Sequence, residues 1–376
     1  MYIKSLELKD FRNYDNLFME FHKGINILYG DNAQGKTNIL EAIYICGTTK
    51  SHKGSKEKEV IKMGKDESHL RIFIERDKVT HKVDMHLKRN KSKGVAIDGL
   101  PIKKSAELFG LVNIVFFSPE DLSIIKNGPS ERRRFIDLEL CQLDKVYLHN
   151  LVNYNKIIVQ RNNLLKQIGF DKKLLDTLSI WDMQLVEYGS QIIKRRENFI
   201  NQLNEMIYDI HKKLSGDKEE LRIHYEPNVS IQNFPEKLAS YRERDIALKM
   251  TNVGPHRDDI SFLNDTVDIR RFGSQGQQRT AALSLKLAEI ELVKKMTHDK
   301  PILLLDDVLS ELDRKRQNYL LNNIHDIQTI ITCTGLEEFI ANRMECDNIY
   351  RVVNGTVTNE NDFTLELIQR KTGGKL

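Results

Sequence analysis

The sequence predicts an α/β fold: a head domain built from both ends of the chain, with a mainly helical lobe inserted in its middle. Three observations lead there. An apolar run at 25–29 enters a Gly-rich loop and then a helix-periodic segment. From Ser130 to about Ser215 helix breakers are almost absent, and Leu151, Tyr154, Ile158, Leu165 and Ile168 recur at helical spacing. From Val253 loops and strands return, and a second apolar run, 302–305, closes on two carboxylates. The expected division is 1–115 for the N-terminal part of the head, 116–252 for the lobe and 253–376 for the C-terminal part.

The elements follow in order. Ile3, Leu6 and Leu8, then Phe18 and Phe21, alternate as paired strands do, around a turn near Asn13 to Asn16. After the Gly-rich loop, Ile39, Leu40 and Ile43 share one helix face. Residues 70–102 alternate like strands, with a turn at Asp98-Gly99. Asn127-Gly128-Pro129 breaks the chain before the helical lobe. The lobe keeps no strict heptad, so it predicts packed helices and not a long coiled coil. Residues 349–353, Asn354-Gly355 and 356–358 read as a late hairpin. The tail after Lys371 is expected to be disordered.

Composition narrows the class. A chain of 376 residues suggests two domains or one with a large insertion. With 58 basic and 54 acidic residues the net charge is +4, so any nucleic-acid contact must come from local patches. Candidate patches are Lys88, Arg89, Lys91 and Lys93; Arg132, Arg133 and Arg134; and Lys194, Arg195 and Arg196. Taken singly, each run reads first as a solvated face, and Arg132 to Arg134 stand evenly between that and DNA phosphates. Cys46, Cys141, Cys333 and Cys346 form no CxxC pair, which argues against a zinc ribbon or a thioredoxin-like motif. Cys46 and Cys333 read as core residues, as does Trp181. No signal-peptide core and no membrane-length apolar run is present, so the cytoplasm is the expected location.

Gly30-Asp31-Asn32-Ala33-Gln34-Gly35-Lys36-Thr37 matches GxxxxGK[ST] between a strand and a helix. Its glycines let backbone N–H groups point at phosphates, and the following helix adds its positive end. Lys36 would reach the β- and γ-phosphates of ATP, and Thr37 would hold Mg²⁺. The run 302–305 delivers Asp306 to the metal, directly or through water, and Asp307 to the attacking water. A helix cap is a fair alternative for those two acids alone, and a weak one beside the phosphate loop.

Gly273-Ser274-Gln275-Gly276-Gln277-Gln278-Arg279 opens a helix bearing Leu283, Leu285, Leu287, Ile290 and Leu292. Ser274 offers a hydroxyl and Gly276 a bare N–H at a helix N-terminus, which suits a γ-phosphate. An ordinary cap is the alternative. The segment resembles the signature of ABC-type ATPases, and Leu309-Ser310-Glu311-Leu312-Asp313 resembles their D-loop. That resemblance implies an ATP-driven homodimer, in which Ser274, Gly276 and Gln278 of one copy close on ATP held by the other.

Three further segments resemble the RecF family of ABC-type, SMC-like ATPases across nearly the whole chain. They are Phe11-Arg12-Asn13-Tyr14, the stretch from Phe117-Ser118-Pro119-Glu120-Asp121-Leu122 to Arg132–Asp137, and Val253-Gly254-Pro255-His256-Arg257-Asp258-Asp259. The resemblance implies double-stranded and gapped DNA as ligand, recombinase loading with RecO and RecR, and a role in DNA repair and replication. It also implies that Arg12 and Asn13 lie near the adenine side of the ATP site. His256 and Arg257 could face phosphate, or could cap the turn and pair with Asp258 and Asp259.

Departures from the wider ABC pattern matter. Asp307 stands where transporters place Glu, no His follows the 330–334 strand, and no Gln occurs near 118–120. A shorter carboxylate and no histidine suggest slow ATP hydrolysis, with binding closing a clamp and hydrolysis opening it. A transporter ATPase subunit is the alternative, disfavoured by the middle lobe. A chromosome-structure ATPase would need sustained heptads. A fused nuclease would need more chain after Asp313.

Overall fold

The computed structural model describes residues 1–168, 171–336 and 346–360; the tail after Lys371 lies outside them. The chain opens as the hairpin β1 (Tyr2–Phe11) and β2 (Tyr14–Glu20). Its turn is Arg12-Asn13, one step earlier than expected, because Arg12 takes up a left-handed φ of 51° and Tyr14 is already paired with Phe11. Next come β3 (Ile25–Tyr29), α1 (Lys36–Thr48) and α2 (Glu57–Val60). β4 (Glu67–Arg76), β5 (Val79–Lys88), β6 (Gly94–Ile97) and β7 (Leu100–Pro101) follow. Asp98 and Gly99 make the expected turn, both at positive φ as a tight hairpin needs. These strands form an antiparallel sheet in the order β2-β1-β4-β5-β6-β7. Ile3, Leu6, Leu70, Ile72, Val83 and Met85 alternate onto its buried face.

β8 (Ile114–Phe117) spans the expected boundary at 115 and belongs to the head, since it pairs in parallel with the strand of the two acids. The chain then forms α3 (Leu122–Lys126), α4 (Pro129–Leu143), α5 (Lys145–Ile168) and α6 (Leu175–Ser215). β9 (Leu221–Glu226), α7 (Phe234–Ser240) and α8 (Arg242–Leu248) come next. β10 (Asp259–Asn264), β11 (Val267–Asp268), α9 (Ile269–Phe272) and α10 (Gln275–Thr297) lead back towards the head. α6 is amphipathic: Leu185, Ile192, Phe199, Leu203 and Ile207 are buried on one stripe. Trp181 is only half-buried, at the edge of the cluster of Leu164, Leu165, Ile168 and Leu178.

β12 (Ile302–Asp306), α11 (Arg314–Asn323), β13 (Thr329–Cys333), β14 (Asn348–Val353) and β15 (Thr356–Asn359) complete the described chain. The four strands join β3 and β8 in a mostly parallel sheet, β15-β14-β3-β13-β12-β8. Its central strands β12 and β13 are buried along their whole length, as strands covered on both faces are. On α1, Ile39, Leu40 and Ile43 are fully buried, each worth about 1.5–3 kcal/mol of apolar burial. Cys46 and Cys333 are buried in this unit.

By contacts the chain groups into two units, Met1–Glu120 with Val293–Leu376, and Asp121–Leu292. Residues 253–292, expected with the C-terminal part of the head, group with the second unit. The reason is the β9–β10 ladder, which runs from Asp259↔Glu226 to Asn264↔Leu221.

Candidate functional site

β3 runs into the phosphate loop, and α1 starts at Lys36. Gly30 and Gly35 stand at φ +148° and +115°, where L side chains are strained. A side chain at Gly35 would also meet Asn13 Nδ2 at 2.5 Å and the Tyr14 hydroxyl at 2.7 Å. These two residues hold the loop: Asn13 Nδ2 donates to the Gln34 carbonyl at 3.0 Å and Tyr14 to the Gly35 carbonyl at 3.1 Å. The β14–β15 turn holds it from the other side. The Asn354 N–H donates to Gln34 Oε1 at 2.6 Å and the Gly355 N–H to the Gln34 carbonyl at 3.2 Å. Asp31, Asn32 and Ala33 form the exposed tip.

Lys36 folds its ammonium over the loop and donates to the Gly30 and Asp31 carbonyls. Burial lowers its pKa, opposed by the nearby acids Asp307 and Asp306. Thr37 Oγ1 donates to Asp306 Oδ1 at 2.8 Å, and Thr332 Oγ1 donates to the same oxygen at 2.8 Å. The Asp307 N–H donates back to Thr332 Oγ1 at 3.0 Å, at a left-handed φ of 55°. Burial raises the pKa of the Asp307 carboxyl, although the Lys36 charge pulls the other way. A hydroxyl and two carboxylates on converging elements are the hard oxygen donors that suit Mg²⁺. Thr332 was not expected here. It sits on the strand that lacks the ABC histidine, and only the parallel pairing Asp306↔Thr332 shows its reach.

Arg12 sits beside the loop with its fork engaged. It grips Glu41 through two hydrogen bonds of 2.8 and 2.7 Å, and also donates to Ser55 Oγ and the Glu59 carbonyl. Burial pushes the Glu41 carboxyl up, but its bonds from Arg12 and Ser51 outweigh that and hold it below its ordinary value. Arg12 therefore ties α1 to the segment before β4. Its neighbour Asn13 faces the loop, and also accepts from Asn38 Nδ2 at 2.8 Å.

In the second unit, Ser274 caps α10 in a reciprocal capping box. Its Oγ accepts from the Gln277 N–H at 3.2 Å, and its N–H donates to Gln277 Oε1 at 2.7 Å. Ser274 and Gly276 are exposed, and a Cβ at Gly276 would meet nothing closer than Ser274 Oγ at 3.9 Å. Gln278 corrects the expectation of a signature contact. It is buried, and its amide donates to the Ile269 and Arg270 carbonyls, which ties α10 to α9.

Within the basic triplet the structure turns Arg132 inward. Arg132 is 1% exposed and locked bidentately on Asp259 at 2.6 and 2.9 Å. Arg133 donates to the Asp258 carbonyl at 2.6 Å. Arg134, one step on, is half-buried. In the third patch Arg196 is buried and binds Asp137, Asp258 and the Pro255 carbonyl. Arginines adjacent in sequence become internal braces because α4 and α6 turn them towards the acids of the 253–259 segment. His256 is an internal link as well. Its Nε2 donates to the Thr251 carbonyl at 3.0 Å, so Nδ1 accepts from the Tyr154 hydroxyl at 2.8 Å. Burial pushes its pKa down to about 4. Arg257 is exposed.

Comparison with known proteins adds a second line. The profile of the RecF/RecN/SMC N-terminal domain family matches residues 2–358. The chain is 70% identical over 357 residues to the DNA replication and repair protein RecF of Lachnoclostridium phytofermentans, covering 95% of this chain and 99% of that one. It is 62% identical to the protein of the same name from Agathobacter rectalis, over 95% and 99% of the two chains. Its fold is similar to a structure of the recombination mediator protein RecF with ATP in the RecFOR pathway. The TM-score there is 0.90 at 37% identity, covering 95% of this chain and 97% of that one. An Smc head domain from Pyrococcus furiosus, at a TM-score of 0.58 and 16% identity over 99% and 100% of the two chains, shares the fold.

Proposed function

This chain belongs to the RecF family, and on that premise we propose that it is an ATP-dependent DNA-binding protein of recombinational repair and replication-fork maintenance. The observation that carries the reading is the meeting of Thr37 with Asp306, which joins the phosphate loop to the acidic strand. Lys36 swings from the loop carbonyls to the β- and γ-phosphates when ATP enters. Thr37 and Asp306 are the residues that would hold Mg²⁺, whose charge would offset that of the phosphates. Asp307 orients the attacking water; a short carboxylate there, with no histidine after β13, supports slow hydrolysis.

On this reading two copies close on ATP, with Ser274 and Gly276 of each reaching the γ-phosphate held by the other. Closure grips duplex DNA beside a single-strand gap, and hydrolysis releases it. RecO and RecR are the partners in recombinase loading, and the cytoplasm is the place of action. With Arg132 and Arg196 internal, Lys88, Arg89 and Lys91 are the first candidates for DNA phosphates. No helix among the described residues is long and apolar enough to cross a membrane.

The test measures binding to duplex, single-stranded and gapped DNA with ATP, ADP and no nucleotide, alongside mass in solution, for the wild type and Lys36→Met. ATP should drive both dimerisation and DNA binding, and the variant should lose both. Absence of DNA binding in every nucleotide state defeats the proposal, as does fast turnover without DNA.

A further inference from the structure

We infer that Glu67, His69 and His86 form a binding site for a divalent transition metal, of which Zn²⁺ is the type, on the solvent face of the antiparallel sheet. Nothing in the ATPase reading requires it. The register builds the cluster. His69 on β4 lies directly opposite His86 on β5, and Glu67, two residues before His69, shares its face of the sheet. One ligand atom from each residue falls within 4.8 Å of the other two.

The donors are of the right kind. Two imidazoles and one carboxylate form a set that zinc takes where it keeps positions open to other ligands. His86 Nε2 already meets Glu67 Oε2 at 2.8 Å, and the two imidazole rings stack with centroids 3.9 Å apart. Tetrahedral zinc with bonds of about 2.0–2.1 Å sets its donors roughly 3.3 Å apart. Closing the site therefore asks for rotation of two exposed side chains, Glu67 and His69, and of the half-buried His86.

The surroundings leave room for further ligands. Across the ladder from His86 stands Gly94, where an added Cβ would meet only His86 Cβ, at 3.9 Å. His69, His86 and Gly94 help line a cavity of about 760 Å³ on this face. Lys9, opposite His69, and Lys88, opposite Glu67, face the same site and weaken its hold on a cation, so a moderate affinity is expected. Mg²⁺ prefers oxygen donors and does not compete for imidazoles.

Full-length protein is titrated calorimetrically with Zn²⁺ at neutral pH in the presence of excess Mg²⁺. The chain has eleven histidines and four cysteines, so the readout is the difference from the His69→Asn/His86→Asn double variant. The wild type should show one site that the double variant loses, with affinity down roughly 100-fold. Lys36→Met should keep it, which separates it from the phosphate loop, and Co²⁺ should give a visible d–d band in the wild type and in Lys36→Met but not in the double variant. Unchanged circular dichroism and ATP binding show that the double variant is folded. Equal Zn²⁺ binding by wild type and double variant overturns the proposal.

Discussion

Thr37 and Asp306, 269 residues apart in sequence, are joined by a hydrogen bond of 2.8 Å. The N-terminal loop and the C-terminal strand therefore form one site only after β3, β13 and β12 have paired side by side. Asp306→Asn keeps the shape but removes the charge. It should lower Mg²⁺-dependent ATP hydrolysis at least roughly 100-fold. Nucleotide binding in chelator should stay near wild type, and an unchanged hydrolysis rate would remove Asp306 from the metal site.

Gly35→Ala should fail for two separate reasons. It puts a side chain at φ +115° and drives it into Asn13 and Tyr14. A loss of about 1–3 kcal/mol in denaturant unfolding is expected from the strain, together with loss of ATP binding.

Asn13→Ala tests the brace more gently. It deletes the bonds to the Gln34 carbonyl and to Asn38. Two such bonds correspond to roughly a tenfold loss of ATP affinity with little change in stability. Equal affinity in equilibrium binding would show that Tyr14 and the β14–β15 turn suffice to position the loop.

Arg161→Ala should be the most damaging single change in the second unit. Its guanidinium is fully buried between Asp182 and Asp245, each at 2.7 Å, and also donates to Thr251. Removal leaves two acids with their shared partner gone and should cost about 3–5 kcal/mol in urea unfolding. Arg161→Lys should not rescue it, because one ammonium cannot span both carboxylates.

His256 should make stability depend on pH. Burial lowers its folded pKa to about 4, while the unfolded chain titrates near 6.5, so between those values the unfolded state binds more protons. This contribution is complete above pH 6.5 and is lost as pH falls towards 4, to a total of about 3 kcal/mol. His256→Gln should flatten that part of the stability–pH curve. A slope identical to wild type would place the acid sensitivity in other groups.

Much of this was legible in the sequence because it is local. Gly30, Gly35, Asp98-Gly99 and Asn354-Gly355 mark positive-φ turns, and each conformation forms where its residue type predicts it. The breaker-free lobe declared its helices by spacing alone. The phosphate loop, the acidic strand and the cap at Ser274 each depend on neighbours a few residues away.

What the tertiary structure alone decided is where each charge resides. Arg132 and Arg196 look in sequence like surface cations, yet each is buried against acids 59 to 127 residues distant. Arg12 is spent on Glu41, Gln278 turns inward, and Thr332 stands beside Asp306. The strand order β15-β14-β3-β13-β12-β8 likewise interleaves the two ends of the chain in a way no local pattern encodes. A turn residue answers to its own φ and ψ. The role of a charged side chain is set by desolvation and by partners brought from elsewhere in the chain, so only the folded molecule could assign it.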